Sequence, residues 1–247
     1  MKISATIVTL NEERNIARAI RSLGCSNGAC ADEIVVVDSG SSDRTREIAR
    51  ELGARVVEEP WRGYAAQKNF AASCAAYDWI LSLDADEEVT GELAREIVAV
   101  KQGQPEFAGY DMPRLAQYLG RWIRHSGWYP DRKVRLYDRR RGEWKGDYVH
   151  ESVRIDGPAG HLNGDLLHYT CDSVSQHLQT LDRYTTLAAQ ELLAKKKKVP
   201  AWRLALDPGW TFLRTYVLQR GFLDGPQGFT LARMAALYTF RKYAKAR

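Results

Sequence analysis

Residues 79–88 read Trp-Ile-Leu-Ser-Leu-Asp-Ala-Asp-Glu-Glu. An apolar stretch suited to a buried strand runs straight into four acids within five positions. Strands of an open parallel sheet are covered on both faces and read as near-continuous apolar runs. Ligands of such sheets bind beyond the carboxyl ends of the strands. Carboxylates two residues apart can leave the strand pointing the same way, and hard oxygen ligands so arranged suit Mg²⁺ or Mn²⁺, which share phosphate oxygens. The competing reading is an acidic first turn of the next helix. It accounts for Glu87 and Glu88 but not for Asp84, because a carboxylate buried at a strand end needs a partner.

The flanking sequence repeats the strand-then-helix pattern. Residues 2–10 (KISATIVTL) predict a central strand, after which Asn11 offers an N-cap and Ile16, Ile20 and Leu23 recur at helical spacing. Residues 34–37 (IVVV) predict a second strand ending at Asp38, and Ser39, Gly40, Ser41, Ser42 and Asp43 form a polar turn. The following helix carries Ile48 and Leu52 and stops at Gly53. Residues 55–57 predict a third strand and residues 63–76 a helix. Thr90 caps a further helix with Leu93, Ile97 and Val100 on one face. This alternation implies right-handed crossovers and a mostly parallel α/β sheet.

Beyond Gln102-Gly103-Gln104-Pro105 the pattern changes. Residues 106–170 hold short alternating segments, such as 133–137 and 152–155, and predict an antiparallel extension. From Val174 the chain turns helical, with Leu178, Leu181, Ala188 and Leu192 on one face and residues 195–198 (KKKK) at the end, where cations favour the helix dipole. Asp207-Pro208 reads as the start of a second helix, and Pro226 as the start of a third. The expected division is 1–172, itself split at residue 104, followed by a helical extension over 173–247.

Composition narrows the classes. The chain has 247 residues, 45% hydrophobic and 27% charged, ordinary globular values that exclude wholesale disorder and fibrous architecture. No run of about 18 apolar residues predicts a membrane span, and the first residues do not read as a signal peptide. The four cysteines sit at no zinc or redox spacing, as expected of reduced thiols in a cytosol. No GxGxxG follows the first strand and no GxxxxGK[ST] occurs, which argues against a dinucleotide site and a P-loop. The net charge is +5, yet residues 195–247 carry 12 Lys/Arg against Asp207 and Asp224. A basic tail with Trp210, Phe212, Tyr216, Phe222 and Phe229 on short amphipathic helices reads as contact with an anionic membrane surface. A homo-oligomer interface and packing on the catalytic body are the rivals. A nucleic-acid reading rests on the basic tail alone and is not adopted.

Four ordered motifs carry a family resemblance: Ile7-Val-Thr-Leu-Asn-Glu12, Ile34-Val-Val-Val-Asp-Ser-Gly-Ser-Ser-Asp-Arg-Thr45, Gly63-x3-Gln-Lys-Asn69 and Leu81-Ser-Leu-Asp-Ala-Asp86. Together they resemble the family 2 glycosyltransferases, inverting enzymes of the GT-A fold that use nucleotide-diphosphate sugars. Tyr118-Leu-Gly-Arg-Trp, Trp128-Tyr-Pro-Asp131, Arg135-Leu-Tyr137, Val149-His-Glu151, Leu167-His-Tyr169 and Gly221-Phe-Leu-Asp-Gly-Pro226 extend it to the branch that builds lipopolysaccharide inner core, which includes β-1,4-glucosyltransferases acting on heptose.

The resemblance implies roles. Residues 1–104 become the nucleotide-sugar half and 105–172 the acceptor half. Thr9, Asn11, Glu12, Asp38, Ser39, Gly40, Lys68, Asp84, Ala85 and Asp86 match the donor site. Without the motif, Asp38 is a turn residue and Lys68 a solvated helix charge. Asp86 and Asp84 match the metal motif for Mg²⁺ or Mn²⁺, and His168, or alternatively His150, resembles a further metal ligand. Glu151 matches the catalytic base, with Asp131 as the competing candidate. Arg132, Lys133 and Arg135 offer a cradle for phosphates, and Trp128 a face for a sugar. The implied partners are a UDP-sugar, with glucose as the hexose, and a lipid-linked saccharide. The implied location is cytoplasmic, at the inner face of the membrane.

Overall fold

Strand β1 (Ile3–Thr9) is buried along almost its whole length, as its uncharged, β-rich sequence demands. A computed structural model describes residues 1–24, 29–146, 151–196 and 199–247. Helix α1 (Ile16–Leu23), β2 (Glu33–Asp38), α2 (Thr45–Glu51), β3 (Arg55–Glu58), α3 (Tyr64–Cys74) and β4 (Trp79–Asp84) follow in the expected alternation. β1 pairs in parallel with both β2 and β4. Asn11 does not cap α1, whose N-cap is Asn15. With φ at 55°, Asn11 instead bonds across to the turn after β2, donating its N–H to Ser41 Oγ and accepting the Ser42 N–H, both at 2.8 Å.

Glu87 and Glu88 do not open a helix. They lie in a short strand, β5 (Glu87–Val89), because the chain must first cross to a new pairing partner. Helix α4 (Gly91–Gln102) then starts where expected, with Thr90 Oγ1 accepting the Leu93 N–H. The antiparallel segments comprise β6 (Gly109–Tyr118), β7 (Arg121–Trp122), β8 (Asp131–Asp138), β9 (Gly142–Lys145), β10 (Ser152–Ile155), β11 (Gly160–His161) and β12 (Leu166–Cys171). The principal sheet runs β3-β2-β1-β4-β8-β6-β12-β5, parallel on one side of β4 and antiparallel beyond it. This mixed α/β sheet with flanking helices and C-terminal helices is the GT-A architecture expected above.

The chain forms two compact units: residues 1–114 with 131–168, and residues 115–130 with 169–247. The first is centred on Ile3, Ile7, Leu81, Leu83, Leu93, Ile97, Met112 and Leu136. The second contains α5 (Val174–Ala194), α6 (Ala201–Leu213) and α7 (Gly225–Lys245), and its core includes Tyr118, Ile123, Cys171 and Leu231. α6 begins after Pro200, not at Asp207, and carries Pro208 inside. Asp207 is held within the helix by Arg203, at 2.9 Å and i,i+4 spacing, which favours continuation over a new cap. α7 starts with Pro226 in its first turn, as expected. No described helix is long and apolar enough to cross a membrane.

Candidate active site

The carboxyl ends of the parallel strands line up through register. Thr9 pairs with Asp38, and Val8 with Asp84, so these acids face the same end of the sheet. Asp38 is fully buried, and one oxygen accepts the N–H groups of Gly40 and Ser41 at 3.1 and 2.9 Å. Its other oxygen accepts the Ser41 hydroxyl. The carboxylate therefore shapes the turn, whose Gly40 has φ at 98°, a conformation natural to glycine. Ser39 Oγ accepts from Gln67 Nε2 at 3.2 Å, tying this turn to α3.

Asp84 is not an open ligand. Its oxygens lie 2.9 Å from Lys68 Nζ and 2.7 Å from Arg135 Nη2. Burial alone would raise its pKa, but Arg135 and Lys68 outweigh burial and hold the carboxyl well below the usual range. Lys68 also approaches Glu151 Oε1 at 3.5 Å and sits 4.2 Å from the centre of the Trp144 ring. Trp144 is fixed by Asn69, which bonds both its N–H and its carbonyl at 2.9 Å. Lys68 is thus a buried node joining Asp84 to Glu151, not a solvated helix charge.

Arg135 is buried as well. Besides Asp84 it donates to Glu87 at 2.6 Å, and Glu87 accepts the Asp84 N–H at 3.0 Å. The expected phosphate cradle is therefore dispersed. Arg135 lies beneath the acids, Arg132 is paired with Asp111 at 2.6 Å, and Lys133 with Asp131 at 2.9 Å. Glu87 is the residue that sequence reading missed. An acid after an acidic run looks solvated, and only the pairing of strands shows that it is fully buried.

Asp86 has a different environment. β12 pairs with β5 so that His168 stands opposite Glu87, next to Asp86 in the chain. His168 Nε2 lies 3.3 Å from Asp86 Oδ2, and the buried His168 Nδ1 has no hydrogen-bond partner. Adjacent ligands of an octahedral ion bound at about 2.1 Å are about 3 Å apart, so the pair fits Mg²⁺ or Mn²⁺. Among the described residues no group of three or more His, Cys, Asp or Glu could hold an ion. The pair would leave the other positions to phosphate and water, as Mg²⁺ prefers. Glu12 lies close enough for its charge to matter: burial raises its carboxyl, its bond from Asn15 opposes, and the charge of Asp86 adds to the rise. Ala85, between the two acids, is buried.

The competing bases differ in pairing. Asp131 is held by Arg114 at 2.7 Å and by Lys133, and these cations outweigh burial to keep its pKa low. Among the described residues the ion-pair partner of Glu151 is Lys68, at 3.5 Å. His150 lies outside the described residues. Trp128 belongs to the second unit, where it packs edge-on against Tyr118 at 5.9 Å.

Comparison with known proteins shows the family. The family model described as "Glycosyl transferase family 2" matches residues 4–156. An uncharacterized glycosyltransferase of Rickettsia typhi is 35% identical over all of this chain and 87% of its own length. The lipopolysaccharide core biosynthesis glycosyltransferase LpsC of Rhizobium meliloti is 31% identical over 99% of this chain and 92% of its own. A solved structure of glucosyl-3-phosphoglycerate synthase from Mycobacterium tuberculosis, in complex with Mn²⁺ and UDP-glucose, is 24% identical over 47% of this chain and 44% of its own, with a TM-score of 0.38. On the family match and the full-length relatives, this chain belongs to glycosyltransferase family 2.

Proposed function

We propose that the chain transfers a hexose, glucose by the resemblance, from a UDP-sugar to a saccharide of the lipopolysaccharide core, with inversion and assisted by Mg²⁺ or Mn²⁺. The observation that carries this reading is the Asp86–His168 pair at 3.3 Å, in the same unit as Glu151 and the acids that close the parallel strands. The acceptor class follows from the resemblance and from the name of the full-length relative LpsC.

In this reading Asp86 and His168 would hold the ion, which when bound would supply positive charge to the leaving diphosphate. Thr9, Asn11, Glu12 and the turn Asp38-Ser39-Gly40 form the nucleotide side. Glu151 accepts the proton of an acceptor hydroxyl. That oxygen forms the new bond to the anomeric carbon as the carbon–phosphate oxygen bond breaks, its electrons leaving on the diphosphate. Lys68, between Asp84 and Glu151, keeps donor-side and acceptor-side acids in fixed relation. The basic, aromatic C-terminal helices hold the protein against the inner face of the membrane that carries the acceptor.

The test is transfer from UDP-glucose, with and without MnCl₂, to core oligosaccharide truncated at heptose. Metal-dependent β-transfer is expected, and it should be lost in Asp86→Ala. Turnover on a protein or capsule precursor instead would reassign the acceptor. UDP-sugar binding with no turnover on any acceptor would leave an idle binding protein and overturn the reading.

A further inference from the structure

The second unit contains a cavity of about 770 Å³ built entirely from its own residues, a size typical of small-ligand sites. Leu181, Leu231, Met234, Ala235, Trp128 and Tyr238 supply much of its apolar lining, and Arg203, Asp207, Arg214 and Lys242 also face it. Arg203 is satisfied: it donates to Asp207 at 2.9 Å and to the Tyr243 hydroxyl at 3.0 Å. Lys242 is not. Its ammonium lies over the rings of Tyr243 and Tyr238, at 4.7 and 5.8 Å, and among the described residues no carboxylate is within ion-pair distance of it. Burial and the Arg203 charge lower its pKa, against the opposing pull of Asp207. A half-buried cation beside an apolar space is costly without an anion.

A second observation concerns the outer surface of α6. Trp202, Leu206, Trp210 and Leu213, with Val217 in the π-helical turn that follows, recur at helical spacing and are 60%, 64%, 56%, 45% and 46% exposed. An apolar stripe with two tryptophans, within the basic stretch 195–247 that carries 12 Lys/Arg, has the composition of a helix lying in a lipid interface. Trp210 belongs to both features, because it also lines the cavity.

We propose that this cavity binds the hydrocarbon chain of an anionic lipid, whose phosphate head rests beside Lys242 while the α6 stripe lies on the bilayer that supplies it. The proposal deepens the membrane association above and is independent of the transfer chemistry. Its occupant is chosen by charge complementarity: with His177 neutral, its pKa lowered by burial, three lining cations face one acid.

The test uses the full chain and dihexanoyl phosphatidylglycerol below its micelle concentration, read by native mass spectrometry and thermal shift. One lipid per chain is expected. The phosphatidylcholine analogue should bind at least about tenfold more weakly, as should phosphatidylglycerol to Lys242→Gln, the loss expected of one charge-assisted contact. Ala235→Trp, which fills the cavity, should abolish binding while keeping a cooperative melt. If that variant does not fold, the Lys242→Gln and headgroup comparisons decide. Equal binding by Lys242→Gln, or an equal shift with inorganic phosphate alone, would overturn the proposal. So would a lipid-free dimer by light scattering, which would mean that a second copy covers the stripe. Transfer measured on the same samples separates the two readings. Transfer without lipid binding defeats the cavity proposal alone, whereas lipid binding without transfer supports the cavity and counts against the chemistry.

Discussion

The guanidinium of Arg135 meets the carboxylate of Glu87 at 2.6 Å, with the two side chains only 3% and 0% exposed. The pair lies directly beneath Asp84, to which both also bond. Removing one member of a buried ion pair leaves an uncompensated charge, at a cost of about 3–5 kcal/mol. Glu87→Gln keeps an oxygen for the Asp84 N–H and removes only the charge. Because Arg135 retains Asp84, the expected loss is near the low end, about 3 kcal/mol, read by denaturant unfolding. A Glu87→Gln protein as stable as the parent would mean the pair is solvated.

Glu151 and Asp131 separate kinetically. Asp131 is committed to Arg114 and Lys133, whereas among the described residues Glu151 is approached only by Lys68. Glu151→Gln should bind UDP-sugar normally yet lose transfer by roughly 10²–10⁴-fold, the usual contribution of a general base. Asp131→Asn should reduce turnover by less than about tenfold, through local repositioning. The reverse ranking would move the base to Asp131.

The acids also set a pH dependence. Asp84 and Asp131 both have folded pKa values lowered by neighbouring cations. Their contribution is complete above the unfolded value of about 3.9 and is lost as pH falls from there through the folded values. In that window the unfolded chain binds more protons, so stability rises with pH. Thermal midpoints should be nearly flat from pH 6 to about 5 and fall steeply below about 4. On acid unfolding Asp84→Asn should take up close to one proton fewer than the parent. An unchanged limb would contradict the Lys68–Asp84–Arg135 arrangement.

Glu12 works in the opposite sense. Its carboxyl is raised, chiefly by burial, with Asp86 adding to the rise. Near and above the ordinary glutamate value the folded state holds the extra proton, so this residue lowers stability as pH climbs.

The order of elements through α4 was legible because the interiors of buried strands β1, β2 and β4 are β-rich and uncharged, and because Thr90 is a true cap. Asp84 and Asp86 were legible as special, and the family resemblance favoured Asp86 for the metal, but the physical reason they differ was not legible. Chain spacing cannot reveal that β8 brings Arg135 under Asp84 while β12 brings His168 beside Asp86; that is a matter of sheet register. The α6 start was misread because Asp207-Pro208 resembles a cap, whereas the Arg203–Asp207 pair carries the helix through it. The Gly221-Phe-Leu-Asp-Gly-Pro motif had no reading beyond family likeness. Structurally, Asp224 accepts the N–H groups of Arg124 and His125 and the Ser126 hydroxyl, at 3.1, 3.1 and 3.0 Å. It fastens the 121–128 segment to the start of α7.

That fastening sets a sharp test at Gly228, in the first turns of α7. In an unconstrained helix, replacing glycine by alanine stabilises by about 0.8–1.0 kcal/mol. At Gly228 an added Cβ would stand 1.9 Å from the carbonyl oxygen of Gly221 and 2.9 Å from Asp224 Cβ, so backbone must move. Gly228→Ala is expected to destabilise by at least about 1–3 kcal/mol, as overpacking does, and to loosen the Asp224 contacts with it. Gly209, in α6, has nothing within 4 Å of the same atom, and Gly209→Ala should stabilise by roughly 0.5–1 kcal/mol. Opposite shifts in the melting temperature of these two variants would confirm the close approach of α7 to the turn before it. A stabilised Gly228→Ala would show that Gly221 does not pack there.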